Sequence, residues 1–150
     1  MNYVRVQIKR ANQKDIPGLI SIEKSVAGTK TFSPMLTETE WGEALRTDKV
    51  FLIEKGGMAI GNMSYRQSGA GEIYLSGLVI RPESQNKGMG REAMVLLMEE
   101  IGKVKRIELA VHPLNREAIG LYKSLGFKKK NVVENYYGDG EPRLILVLQN

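Results

Sequence analysis

Between a predicted strand and a predicted helix the chain reads Gln85-Asn86-Lys87-Gly88-Met89-Gly90-Arg91. Glycines at i and i+2 let the backbone approach a ligand without Cβ obstruction. Free N–H groups at the start of a helix point outward, and the macrodipole there favours negative charge. Lys87 and Arg91 add positive charge beside the same amides, so a phosphate or pyrophosphate is the natural guest. No Lys-Ser or Lys-Thr follows the glycines, which excludes a Walker loop. Gly88-Met89-Gly90-Arg91-Glu92-Ala93 also satisfies the G-x-G-x-x-A dinucleotide pattern, with Glu108 downstream. That pattern wants its first glycine against the strand end, whereas Arg81–Lys87 intervene here, and it wants the acidic residue at the end of the next strand, not near its start. The chain has no Cys and one His, His112, which removes thiolate catalysis, disulfides and a Cys- or His-rich metal site, so no metal is expected. His112 follows a strand end and fits a hydrogen-bonded loop histidine better than a catalytic one.

The elements that must hold this loop follow from periodicity. Val4, Val6 and Ile8 alternate as a half-buried strand. Asp15 fits an N-cap, with Pro17 in the first turn of a helix running to about residue 26. The stretch AGTKTFSPML reads as a loop, and Thr37 with Glu40 forms a capping box for a second short helix. Val50–Ile53 and Met58–Tyr65 make a hairpin around Lys55-Gly56-Gly57, and a turn at Ser68–Gly71 leads to a strand over Ile73–Ile80. A long helix follows, with Met89, Ala93, Leu97 and Ile101 on one stripe. Then come a strand over Arg106–Val111, a helix from Asn115 to Gly126, and strands over Phe127–Val133 and Arg143–Leu148. This order predicts an α+β domain, a mixed sheet with helices on its faces, and not a doubly wound parallel sheet.

Composition bounds the rest. The 150 residues suit one domain spanning 1–150, with 42% hydrophobic and 26% charged residues, which excludes wholesale disorder, collagen and coiled coil. The longest apolar runs, Ala93–Met98 and Leu144–Leu148, fall far short of the ~20 residues a membrane span needs. The opening MNYVRVQIKR has charges where a signal peptide needs an apolar stretch, so a cytoplasmic location is expected, with no membrane partner. Net charge is +5, which favours anionic partners and equally fits a solvated basic surface. Interleaved aromatics and nucleic-acid-binding motifs are lacking, so no nucleic acid is expected.

The run from Leu78 to Gly90, with Gln85-Asn86-Lys87-Gly88-Met89-Gly90 at its core, resembles the acetyl-CoA signature Q/R-x-x-G-x-G/A of the GNAT superfamily of N-acetyltransferases. At the expected interval Asn115, Ala118, Leu121-Tyr122 and Leu125-Gly126-Phe127 are similar to the family's second signature, and the element order matches over nearly the whole chain. The resemblance implies a GNAT fold: a mostly antiparallel mixed sheet of about seven strands, splayed at the cofactor strand, with about four flanking helices. It implies acetyl-CoA as co-substrate, its pyrophosphate cradled by the amides of Gln85, Asn86, Lys87, Gly88, Met89, Gly90 and Arg91. Leu78 and Ile80 would pair through their backbones with the pantetheine arm, the Val79 N–H would face the oxyanion, and Asn115 would bond the chain near the thiol. Asn115 serves equally as a helix N-cap.

Tyr122 matches the family's general acid, which protonates the departing thiolate, although it also fits an amphipathic core tyrosine. The amine would attack the thioester directly, with no enzyme nucleophile. The position five residues before Asn115, where N-terminal acetyltransferases commonly carry a glutamate base, is Ala110. Glu108, on the same face, Glu72 on the preceding strand, and a water relay remain as bases. Tyr136-Tyr137 resemble paired aromatics that clamp a peptide N-terminus, and Phe32 and Pro34 occupy the opposite specificity wall. A peptide N-terminus and a small-molecule amine both stay open as acceptor, as do monomer and homodimer. A non-catalytic CoA-binding sensor is the alternative to an enzyme.

Overall fold

The structure, a computed structural model, describes residues 5–150. Val4, read as the start of the first alternation, lies outside them. The first strand is β1, Gln7–Arg10. Asn12 then caps a 3-10 turn at Gln13–Asp15, its side chain accepting from Lys14 N–H while the Asp15 carboxylate accepts from Asn12 N–H. Asp15 was expected as the N-cap of α1, Ile16–Lys24, but its carboxylate is spent reaching backward, and Asn12 does the capping one turn earlier. Helix α2, Glu38–Thr47, starts as expected at Thr37, whose hydroxyl accepts from Glu40 N–H.

Strands β2, Lys49–Lys55, and β3, Met58–Gly69, form the hairpin, and Gly56 and Gly57 take the left-handed φ values of 58° and 80° that such a tight turn requires. β4, Glu72–Ile80, pairs antiparallel with β3. α3, Met89–Ile101, β5, Arg106–Val111, α4, Arg116–Ser124, β6, Lys128–Val133, and β7, Arg143–Gln149, complete the chain. The seven strands lie in the order β1-β2-β3-β4-β5-β7-β6, and among these pairings only β4–β5 is parallel. This is the mixed, mostly antiparallel sheet that the resemblance implies, with four α-helices among the described residues. β6 is an outer edge strand with Lys128, Lys129 and Lys130 all exposed.

Strand alternation sorts the core onto two faces. Phe51 and Ile53 join Met63, Leu75, Leu109 and Leu146 under α3 and α4, where Ala93 and Leu97 are fully buried. Val50 and Leu52 point the other way, beneath Leu19 and Ile22 of α1 and Trp41 of α2. No helix among the described residues is long and apolar enough to cross a membrane.

Candidate active site

β4 and β5 are joined only over Glu72–Leu75 and Arg106–Leu109. Beyond Leu75, β4 runs on to Ile80 still paired with β3, but among the described residues no strand lies beside its other edge. The parting coincides with a bulge: Ser64 pairs with Gly77 and Tyr65 with Leu75, so Ser76 is the extra residue. A bulge bends its strand and re-aims a side chain, which is what opening a sheet between two neighbours needs. The opening is a cleft of about 1070 Å³, with Leu78, Val79 and Ile80 along one side and Leu109, Ala110 and Val111 along the other.

One end of the cleft is the expected anion loop. Gly88 stands at the N-cap of α3 with φ 80°, and no side chain among the described residues caps this terminus. The amides of the first helical turn therefore face the cleft, which Gly88, Met89, Gly90 and Arg91 line. Gln85 turns inward, its Nε2 donating to Ile80 O at 2.8 Å, which ties the loop to the end of β4. Asn86 N–H donates to Glu117 Oε1 at 3.0 Å, so that amide already points at an anion. Lys87 does not line the cleft, because its Nζ folds back onto Glu83 O at 2.9 Å.

Midway, α4 contributes Asn115 and Tyr122. Asn115 Oδ1 caps α4 by accepting from Ala118 N–H at 3.2 Å, and the residue lines the cleft as well. Tyr122 is 5% exposed and packs against Phe127 with ring centroids 5.7 Å apart. Burial, and then the neighbouring Tyr137, push its hydroxyl well above the ordinary tyrosine range, so it stays protonated at neutral pH. His112 is satisfied at both nitrogens: Nδ1 accepts from Leu114 N–H at 3.1 Å, which leaves the proton on Nε2 to donate to Glu141 Oε1 at 2.7 Å.

Phe32, Pro34 and Met35 of the 27–36 segment also line the cleft, as do Tyr137 and Arg143. Tyr137 and Tyr136 meet edge to face at 4.8 Å, and Tyr74 Oη lies 3.0 Å from Tyr136 Oη and 3.4 Å from Tyr137 Oη. The guanidinium of Arg143, 2% exposed, stacks 4.9 Å from the Tyr137 ring and donates to Asp139 Oδ2 at 3.0 Å. The Asp139 carboxyl is held below its usual range by the Glu141 N–H and by that arginine.

Three expected site residues stand elsewhere. Glu72 and Glu108 do not line this cleft; they line a separate basin of about 390 Å³ at the opposite, paired end of β4 and β5. Glu108 shares a face with Ala110, as expected, but one residue pair nearer the closed end, where Arg106 holds it at 2.6 Å and Lys130 at 3.7 Å. Tyr136 lines the small basin, whereas Tyr137 lines the cleft. Sequence reasoning passed over Glu23, a cleft residue only 4% exposed, whose Oε1 accepts from Met35 N–H at 3.0 Å and Oε2 from Asn62 Nδ2 at 2.9 Å. Burial outweighs these hydrogen bonds and raises its pKa. Its signal was present: it falls seven residues after Ile16 on an otherwise apolar helical stripe.

A model of the Acetyltransferase (GNAT) family matches residues 18–127. The [Ribosomal protein bS18]-alanine N-acetyltransferase of Escherichia coli (strain K12) is 37% identical over 68 residues, 44% of this chain and 46% of that protein; the chain thus spans about half the length of the curated relatives it matches. The crystal structure of the ribosomal-protein-S18-alanine N-acetyltransferase from Escherichia coli superposes with a TM-score of 0.80 at 26% identity, covering 96% of this chain and 93% of that one. A putative acetyltransferase from Salmonella typhimurium, solved with its cofactor acetyl-CoA, shares the fold with a TM-score of 0.75 at 21% identity, covering 97% and 94%.

Proposed function

This chain belongs to the acetyltransferase (GNAT) family, and on that premise we propose that it is a cytoplasmic N-acetyltransferase carrying an acetyl group from acetyl-CoA to a primary amine. The observation that carries the reading is the meeting, in one cleft, of an uncapped glycine-flanked helix N-terminus, an unpaired strand edge and a buried, protonated tyrosine. Their chemistry suits a CoA thioester. The first-turn amides of α3 take the pyrophosphate, and the Asn86 amide, now on the Glu117 carboxylate, is already aimed at an anion. The open edge at Leu78–Ile80 pairs with an extended amide-bearing arm as an added strand would. When bound, acetyl-CoA supplies an activated carbonyl open to direct attack by an amine. Backbone N–H groups of that edge stabilise negative charge at the carbonyl oxygen, and Tyr122 hands its proton to the departing sulfur.

The acceptor we favour is a peptide α-amine. Tyr137 and Phe32 both line the cleft, and the relatives named above act, by their names, on the alanine of a ribosomal protein. A small-molecule amine is the second reading, favoured by Ala110 at the position where N-terminal acetyltransferases commonly carry a glutamate.

Titration calorimetry with acetyl-CoA should give binding on the order of tens of micromolar or tighter. Absence of heat in that range sinks the proposal. A panel of alanyl peptides and polyamines, read by CoA release, then assigns the acceptor; binding without release to any amine supports a CoA-binding module instead.

A further inference from the structure

An acceptor amine reaches the cleft mostly as an ammonium ion, since α-amines titrate near about 8 and alkylamines near about 10.4, and an ammonium has no lone pair with which to attack. Some group must take its proton. Glu72 and Glu108 are at the closed end of the strands, and position 110 is alanine. Glu23 is in the cleft too, where its oxygens tie α1 to the 27–36 loop and to β3, and it serves as the control below.

We propose that Ser64, Ser76 and Asp48 form a proton relay that draws the surplus proton out of the cleft. The inference rests on the acetyl-transfer reading above. Ser76 is the bulged residue at the apex of the splay, and Ser64 is its neighbour on β3; both line the cleft. Asp48, 9% exposed, lies behind them and does not line the cleft. Ser76 Oγ donates to Asp48 Oδ2 at 2.5 Å, and the two serine hydroxyls lie 2.8 Å apart.

These contacts have a direction. A carboxylate only accepts, so the Ser76 proton is committed to Asp48. Ser76 can then only accept from Ser64, whose own proton is committed in turn. The oxygen that the chain presents to the cleft therefore has lone pairs to offer and no proton, which is what an ammonium N–H seeks. In the transfer, one N–H bond of the ammonium breaks and its proton binds Ser64 Oγ. Ser64 passes its proton to Ser76, and Ser76 passes its own to Asp48 Oδ2. The products are a neutral amine and a neutral carboxylic acid, with both serines restored. Asp48 returns the proton to water on its far side, where Arg66, with its side chain 46% exposed, approaches to 3.5 Å and borders the small basin.

Charged and titratable groups face this carboxylate from several elements. Arg66 reaches it from β3 and stacks 4.6 Å over Tyr74 of β4. From its own side Thr47 Oγ1 donates to Oδ1 at 2.8 Å. Across the cleft stand Glu23 on α1 and Tyr137 and Arg143 near the start of β7.

The test is the pH profile of acetyl transfer from acetyl-CoA to an alanyl peptide, for the wild type and for Asp48→Asn, Ser76→Ala, Ser76→Thr and Glu23→Gln. With the relay cut, the rate follows the free-amine fraction. Asp48→Asn and Ser76→Ala should then fall about 100-fold behind wild type two pH units below the amine pKa, and rejoin it within about threefold above that pKa. Ser76→Thr keeps the hydroxyl and should restore the wild-type profile. Glu23→Gln should not reproduce the pH-dependent loss. A loss in Asp48→Asn and Ser76→Ala that is equal at every pH means a structural role and overturns the relay, as does a pH-dependent loss in Glu23→Gln. If the wild type transfers to neither the alanyl peptide nor a polyamine at any pH, the transfer reading itself falls, and the relay with it.

Discussion

The same two strands behave oppositely at their two ends. Where Glu72–Leu75 and Arg106–Leu109 are paired, the sheet is closed and the side chains above it are ion-paired: Glu108 has Arg106 and Lys130. Past Leu75 the strands separate, and the proposed chemistry falls to the backbone edge and to uncharged side chains of the cleft, Tyr122 and Ser76. At the closed end Glu108 is compensated by its two cations. On the proposed reading the open end draws its reactivity from what is left unsatisfied there among the described residues: amides without a side-chain cap and an edge without a neighbouring strand.

That contrast can be broken, and the largest expected effect is at the open end. Tyr122→Phe removes the proposed proton donor and should lower kcat about 10²-fold or more while the dissociation constant for acetyl-CoA stays within about twofold. Equal losses in both would return Tyr122 to a packing role. Next comes the seam that keeps β4 in place. A Cβ at Gly61 would stand 2.3 Å from Val79 O, so Gly61→Ala must push the free half of β4 aside. It should destabilise the fold by about 1–3 kcal/mol in denaturant melts and weaken acetyl-CoA binding. Unchanged binding would mean that the open edge takes no part in holding the cofactor.

Gly88→Ala probes the anion loop more gently. The new Cβ meets nothing within 4 Å, so only the left-handed backbone at φ 80° is strained, at about 1 kcal/mol, and calorimetry should show severalfold weaker binding of acetyl-CoA. Glu23 offers a pH test. Burial raises its pKa above the ordinary glutamate value of 4.5, so over the window that starts there the native state holds more protons than the unfolded chain, and stability falls as pH rises. Glu23→Gln should flatten that part of the stability profile; an unchanged slope would show that the carboxylate is not desolvated. The smallest effect belongs to the closed end. Glu72→Gln and Glu108→Gln should leave kcat within about twofold and stability within about 1 kcal/mol. A tenfold drop in kcat would restore either carboxylate as a base.

What the sequence made legible was local. The Gln85–Arg91 loop, the Asn115 cap and Tyr122 are marked by residue types a few positions apart, and all but Lys87 of the loop's charged or glycine residues line the cleft. Strand alternation over Ile73–Ile80 looks the same whether or not a neighbour lies alongside, so the bulge at Ser76 leaves no trace in periodicity. For the same reason Glu108 could be assigned a face but not an end, and it was the end that mattered. Asn12 displaced Asp15 as the cap because both are good capping types three residues apart, and the turn between them decides. The chain Ser64–Ser76–Asp48 joins residues 28 apart at its longest step, a contact that only the fold creates.

The three exposed lysines of β6 bear on how this protein behaves in company. An outermost strand offers its unpaired amides and carbonyls to any other chain that can lie beside it. Here Val132, 44% exposed, makes that edge adhesive, and Lys128–Lys130 make it repel a second copy of itself. Such repulsion reaches about 10 Å at 0.1 M salt and about 3 Å at 1 M. Part of the basic excess thus acts as a colloidal guard, and concentrated salt is the condition under which that guard is lowered.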